Sequence, residues 1–252
     1  MAVEWTILPV LTVIFLATVI RSAFGFGEAL IAVPLLALLI PVEEAVPLAT
    51  LISITVAGVV LIQDWQKVHF SSALALVMST LFGIPLGLLL LTTVEEAVVK
   101  AILAVSIIGF AWYCLVGRGK LELQNDKLSW LFGFVAGIFG GAYGMNGPPL
   151  VIYGSLRRWS PEHFRATLQG YFLPASIFGL VGYWLAGLWV RDVTRYYFVS
   201  LPVVLAAIVL GRWINRRIDG QSFIVYVHVG LIVVGSVLLI QAIWKHTESL
   251  AM

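Results

Sequence analysis

Apolar residues run along this chain in long blocks rather than in stripes. Ten such segments can be marked: 5–21, 29–40, 45–62, 71–91, 97–116, 128–144, 148–156, 166–188, 196–211 and 223–244. Most are close to the roughly 20 residues a helix needs to cross about 30 Å of hydrocarbon. A helix packed on a soluble core would show one apolar face, whereas these segments are apolar all round. The pattern predicts an all-α polytopic membrane protein. Two segments are too short to span a bilayer alone. As helices, 29–40 would be about 18 Å long and 148–156 about 14 Å. Each follows a Gly-rich break, Gly25-Phe26-Gly27-Glu28 in the first case and Gly140–Pro149 in the second.

Composition agrees with this reading. Mean hydropathy is +1.02 and charged residues are 11% of the chain, less than half the usual share of soluble domains. The net charge of +2 suggests no nucleic-acid partner. The N-terminus lacks the basic stretch of a cleaved signal peptide, so the first segment reads as a retained helix. Cys114 stands alone in an apolar run, which excludes an internal disulfide and suits a structural thiol. His228 is an ionisable residue well inside a long segment, and it reads as a hydrogen-bonded group between helices.

The short segments hold matching places in two halves. Phe24-Gly25 resembles Tyr143-Gly144, and Ala49-Thr50-Leu51 resembles Ala166-Thr167-Leu168. Gly83–Gly87 closes the fourth segment much as Gly211 closes the ninth. The expected organisation is two five-segment repeats, 1–116 and 128–252, joined by a linker at 117–127. Five is odd, so the second repeat must be inverted relative to the first.

Basic residues test this arrangement, because they collect on the cytoplasmic side. If all ten segments change sides, one face receives Arg21, Lys67, Arg118, Lys120, Lys127, Arg157, Arg158, Arg165, Arg212, Arg216 and Arg217. The other receives only Lys100, Arg191, Arg195 and Lys245. That bias places the linker inside and both termini outside the cytoplasm. Each short segment then pairs with the one before it as a hairpin whose tip lies within the membrane. Irregular backbone is tolerated there only beside protein or water. Short broken helices meeting near the midplane of two inverted repeats are the signature of a secondary transporter.

The breaks carry the candidate chemistry. In Gly144-Met145-Asn146-Gly147-Pro148-Pro149 the glycines permit close backbone approach, and the prolines suit the first turn of a helix. A helix N-terminus attracts anions, and Asn146 adds a neutral donor. Arg21, Gly25, Gly27, Tyr143, Gly144, Asn146, Gly147 and Pro148 are the expected substrate-binding residues. Arg21 would hold an anion and Glu28 would carry a coupling proton, because ionisable groups at membrane depth are costly and usually functional. The bland alternative pairs Arg21 with Glu28 at the interface. Thr50, Ser53, Thr167 and Gln169 could line a polar path, with Thr55 and Tyr171 nearby, although Ser and Thr often bond back to helical carbonyls. Gly133 and Gly137 read as close helix packing. No HExxH, GxSxG or P-loop motif occurs. No enzyme activity, metal or cofactor is expected.

At Gly25–Pro34 and Gly141–Pro149 the chain resembles the TauE/SafE family of sulfite exporters. The first half has the Gly-rich stretch and Val33-Pro34-Leu35-Leu36. The second has Gly141, Gly144, Gly147 and Pro148, followed by Trp159-Ser160-Pro161-Glu162-His163-Phe164-Arg165-Ala166-Thr167. The chain departs from the family at Glu28-Ala29, where further glycines are common. The resemblance implies export of sulfite or an organosulfonate across a bacterial inner membrane. The residues alone imply a transporter for a small anion, with an anion channel and a non-transporting membrane scaffold as rivals. The expected partners are that anion and the lipid bilayer, and homo-oligomerisation is left open.

Overall fold

The structure is a computed structural model. It describes residues 2–24, 27–64, 70–116, 122–124, 126–159, 161–215, 229, 232–233 and 235–244. Among these the fold is all-helical. The helices are α1 (Ala2–Phe24), α2 (Glu28–Leu36), α3 (Val42–Asp64), α4 (Phe70–Thr93), α5 (Glu96–Val116), α6 (Ser129–Tyr143), α7 (Gly147–Leu156), α8 (Pro161–Leu185) and α9 (Arg191–Asn215). A described stretch Gly235–Trp244 forms α10. Gly25 and His228, both singled out above, lie outside the described residues.

Several boundaries differ from the apolar blocks. The first short segment, expected over 29–40, is helical only over Glu28–Leu36. Ala37 to Ile40 close it with tight turns, such as Leu39 N–H to Leu36 O at 2.8 Å. Pro41 follows, and the residue before a proline is driven out of the helical region. The eighth and ninth segments start five residues earlier than expected, at Pro161 and Arg191. Their first turns are polar, so hydropathy misses them, and Pro161 fits the first turn of a helix. Glu162, His163 and Arg165 therefore belong to α8 and Asp192 to α9.

Polarity is distributed inside out. Among the described residues, five helices are long and apolar enough to cross a membrane: α1, α3, α4, α5 and α9. Leu8, Phe82, Leu89, Trp184 and Val209 are exposed on outer faces, whereas Thr18, Arg21, Glu28, Thr80, Asn146 and Ser200 are buried. A soluble protein buries the first group and exposes the second. Apolar exteriors of this extent fit a hydrocarbon solvent.

Packing links the two ends of the chain. α4 lies along α6, and α1 lies along α9. The α4–α6 contact is backbone against backbone. A Cβ added at Gly83, Gly87, Gly133, Gly137 or Gly141 would come within 3 Å of a main-chain atom of the facing helix. Small residues permit this approach where burying apolar area gives no advantage over lipid. Gly211 plays the same part in α9, against Val19 and Ser22 of α1. α1 also packs on α2, α6 on α7, and α3 on α8. The described end of the linker is fastened to the C-terminal end of α7. Leu123 N–H bonds Leu156 O at 2.9 Å, Arg157 Nη1 donates to Leu123 O at 2.7 Å, and Tyr153 Oη donates to Asp126 at 2.8 Å.

Candidate functional site

Two helix breaks face one cleft. In the first, Gly27 adopts φ 95° ahead of α2, a conformation that costs glycine least. In the second, Gly144 adopts φ 63° after α6, and its N–H bonds Gly140 O at 2.9 Å. The chain then turns through Met145 and Asn146 into α7. Pro148 and Pro149 stand in the first turn of α7. They leave only the amides of Asn146 and Gly147 without an intrahelical acceptor there. α2 keeps its full set, so the two helix ends present unequal numbers of free amides.

The cleft is a small, partly open cavity of about 30 Å³. Its polar lining comes from Arg21 of α1, Glu28 of α2, Ser53 of α3, Asn146 and Ser176 of α8. Its apolar lining includes Phe110 of α5, Val151 of α7 and Phe172 of α8. Gly27, Gly144, Gly147 and Pro148 complete the wall.

Arg21 and Glu28 dominate the electrostatics. They are 5% and 1% exposed, and Arg21 Nη1 lies 2.7 Å from Glu28 Oε2. The same nitrogen donates to Ser53 Oγ at 2.5 Å. Thr18 Oγ1 donates to the other Glu28 oxygen at 3.2 Å. The Phe172 ring stands 5.7 Å from the guanidinium carbon, within cation–π range. Arg21 Nη2 is buried and has no hydrogen-bond partner. A donor left so is costly, and a ligand anion would relieve it. The pairing of Arg21 with Glu28 matches the bland alternative, but the pair is buried against the cleft.

Asn146 stands at the N-cap of α7, but its side chain makes no capping hydrogen bond. Its Nδ2 donates to Tyr171 Oη at 3.3 Å, and that hydroxyl shares a hydrogen bond with Thr80 Oγ1 at 2.6 Å. Gly140 gives Asn146 its room, since a Cβ there would meet the Asn146 side chain. Tyr171 thus holds Asn146 from behind.

Other expected site residues stand back. The Tyr143 hydroxyl donates to Val99 O at 3.1 Å, away from the lining. Thr50 Oγ1 abuts Gly144, and Thr167 is buried with its hydroxyl unpartnered. Neither lines the cleft. The Gln169 side chain is outside the described residues. Thr55 bonds back to Leu51 O at 3.0 Å and shares a hydrogen bond with Tyr197. Sequence reasoning missed Thr18, Phe110, Phe172 and Ser176. Thr18 had a signal, because it lies one turn before Arg21 on the same helical face. The other three reach the cleft only through tertiary packing.

A family model described as Sulfite exporter TauE/SafE matches residues 10–238. No curated protein and no solved structure matches the chain. The family match runs through both helix breaks and every residue that lines the cleft. The chain therefore belongs to the TauE/SafE family of membrane transporters.

Proposed function

We propose that this protein is a secondary carrier that exports a small anion, sulfite or an organosulfonate, from the bacterial cytoplasm by alternating access at the cleft. Glu28 couples that movement to protons. One observation carries the reading: a buried arginine with an unpartnered Nη2 lines a cleft between two helix N-termini. A fixed cation and two partial positive ends attract an anion, and the low dielectric strengthens them.

The two halves act as inverted repeats, 1–116 and 128–252. Their packing supports this. The first helix of each half lies along the fourth of the other, and the two third helices meet. The cleft then sits near the membrane midplane at the seam between halves, as in other carriers of this architecture. The expected result in proteoliposomes is trans-stimulation: preloading with unlabelled anion speeds uptake of labelled sulfite or sulfonate. A channel would pass the anion without this exchange, and inert vesicles would leave a scaffold as the answer.

The linker faces the cytoplasm and both termini face outward. In a Cys114→Ala background, Glu122→Cys should resist an impermeant thiol reagent in intact cells. Ala186→Cys, in the exposed turn before α9, should react. Rapid external labelling at position 122 would reverse the topology.

A further inference from the structure

We infer that Glu28 is a tethered anion that substrate displaces on Arg21, so that each monovalent anion enters together with one proton and the site keeps the same charge empty and loaded. This inference rests on the anion-carrier reading above and adds its stoichiometry.

The argument is a charge count. An arginine guanidinium carries a fixed positive charge in proteins. In the empty site Glu28 balances that of Arg21 at 2.7 Å. The pair is the complete ionisable content of the described cleft lining. α1 contributes Arg21 and α2 contributes Glu28. The other packed elements offer Ser53 from α3, Phe110 from α5, Val151 from α7, and Phe172 and Ser176 from α8. None of these last five can take up a charge near neutral pH.

Geometry makes the anion and Glu28 rivals. Arg21 Nη1 is occupied by both Glu28 and Ser53, and the whole side chain is 6% exposed. An incoming anion must take over one of those bonds or claim the buried Nη2. Either way, two negative groups would share one guanidinium with no second cation in the described lining. An uncompensated charge in that setting is strongly disfavoured. A proton on Glu28 removes it. The neutral carboxyl becomes a donor and can bond Thr18 Oγ1, which sits 3.2 Å away.

The balance is explicit. The empty site holds Arg⁺ and Glu⁻, with no net charge. The loaded site holds Arg⁺, protonated Glu and the anion, again with none. Neither form senses the membrane potential as it reorients, so transport is electroneutral anion–proton symport, which runs outward when the outward anion gradient exceeds the inward proton gradient. In Glu28→Gln the empty site is positive and the loaded site neutral, so one charge moves per cycle and no proton does.

Methanesulfonate is the suitable probe, because it is a monoanion that does not titrate and cannot confuse the proton count. Calorimetry on the purified full chain, in two buffers of different ionisation enthalpy, should show uptake of about one proton per anion bound at neutral pH. Glu28→Gln should bind with no uptake. In proteoliposomes clamped with valinomycin and potassium, the wild-type accumulation ratio should ignore voltage and follow the pH gradient. That of Glu28→Gln should ignore pH and change about tenfold per 60 mV. Anion binding by the wild type without proton uptake overturns this inference and the proton coupling at Glu28, and leaves the anion carrier itself standing, whatever becomes of the variant. Failure of every tested anion to bind or move overturns the carrier reading and this inference with it.

Discussion

Arg21→Met is expected to abolish anion binding and to destabilise the fold by about 3–5 kcal/mol, the usual cost of breaking a buried ion pair by removing one partner. The loss of stability arises because Glu28, 1% exposed, would keep only Thr18 as a partner. The double variant Arg21→Met/Glu28→Gln removes both charges and should recover most of that stability. It should not recover binding, because the guanidinium proposed to hold the anion is gone. Denaturation in detergent reads the first quantity, and calorimetry with methanesulfonate reads the second. A stable double variant with wild-type affinity would move the anion site away from Arg21.

Gly147→Val should leave the fold intact and reduce anion affinity at least a hundredfold, or about 3 kcal/mol. The geometry separates the two effects. A Cβ at Gly147 would meet only the Phe172 ring, at an ordinary 3.9 Å. The added methyl groups would occupy cleft space and cover the amides at the start of α7. Gly144 cannot serve the same test. Its φ of 63° and the Thr50 hydroxyl 2.8 Å from a Cβ position would make a valine there a folding defect. Asn146→Ala should cost less, about 1–2 kcal/mol for one hydrogen bond to a charged group. Wild-type affinity in well-folded Gly147→Val protein would return the break before α7 to a packing role.

How far the sequence could foresee this depends on the distance over which each feature is written. Helix number follows from local hydropathy, and the short helices follow from Gly-rich breaks next to apolar runs. Packing at Gly133 and Gly137 was legible from four-residue spacing, which puts both on one helical face. Arg21 and Glu28 stand seven residues apart across a break, so their pairing could be stated as an alternative. The contact of Arg21 with Phe172 could not, because it depends on how α8 meets α1 and α3. Tyr143, Thr50 and Thr167 show the opposite error. Tyr143 stands beside the second break and suggested the cleft, and Thr50 and Thr167 suggested a polar path, but none of the three lines the cleft. Helix starts at Pro161 and Arg191 were missed because a polar first turn belongs to the helix without belonging to the apolar run.

The pairing of α1 with α9 also sets an order of assembly. Residues 25–190 must be synthesised before the partner of α1 begins. α4 waits far less, since α6 follows after one helix and the linker. Contacts between distant parts of a chain close large loops, and such closure comes at an entropic cost that local pairs avoid. The glycine-lined α4–α6 pair can therefore form early as a nucleus within the bilayer, while the first helix made is among the last to dock. Until α8 brings Phe172 beside them, Arg21 and Glu28 on the unfinished bundle have each other, Thr18 and Ser53 as polar partners. The ion pair that serves the mature cleft thus also makes the waiting N-terminal hairpin tolerable to lipid during biogenesis.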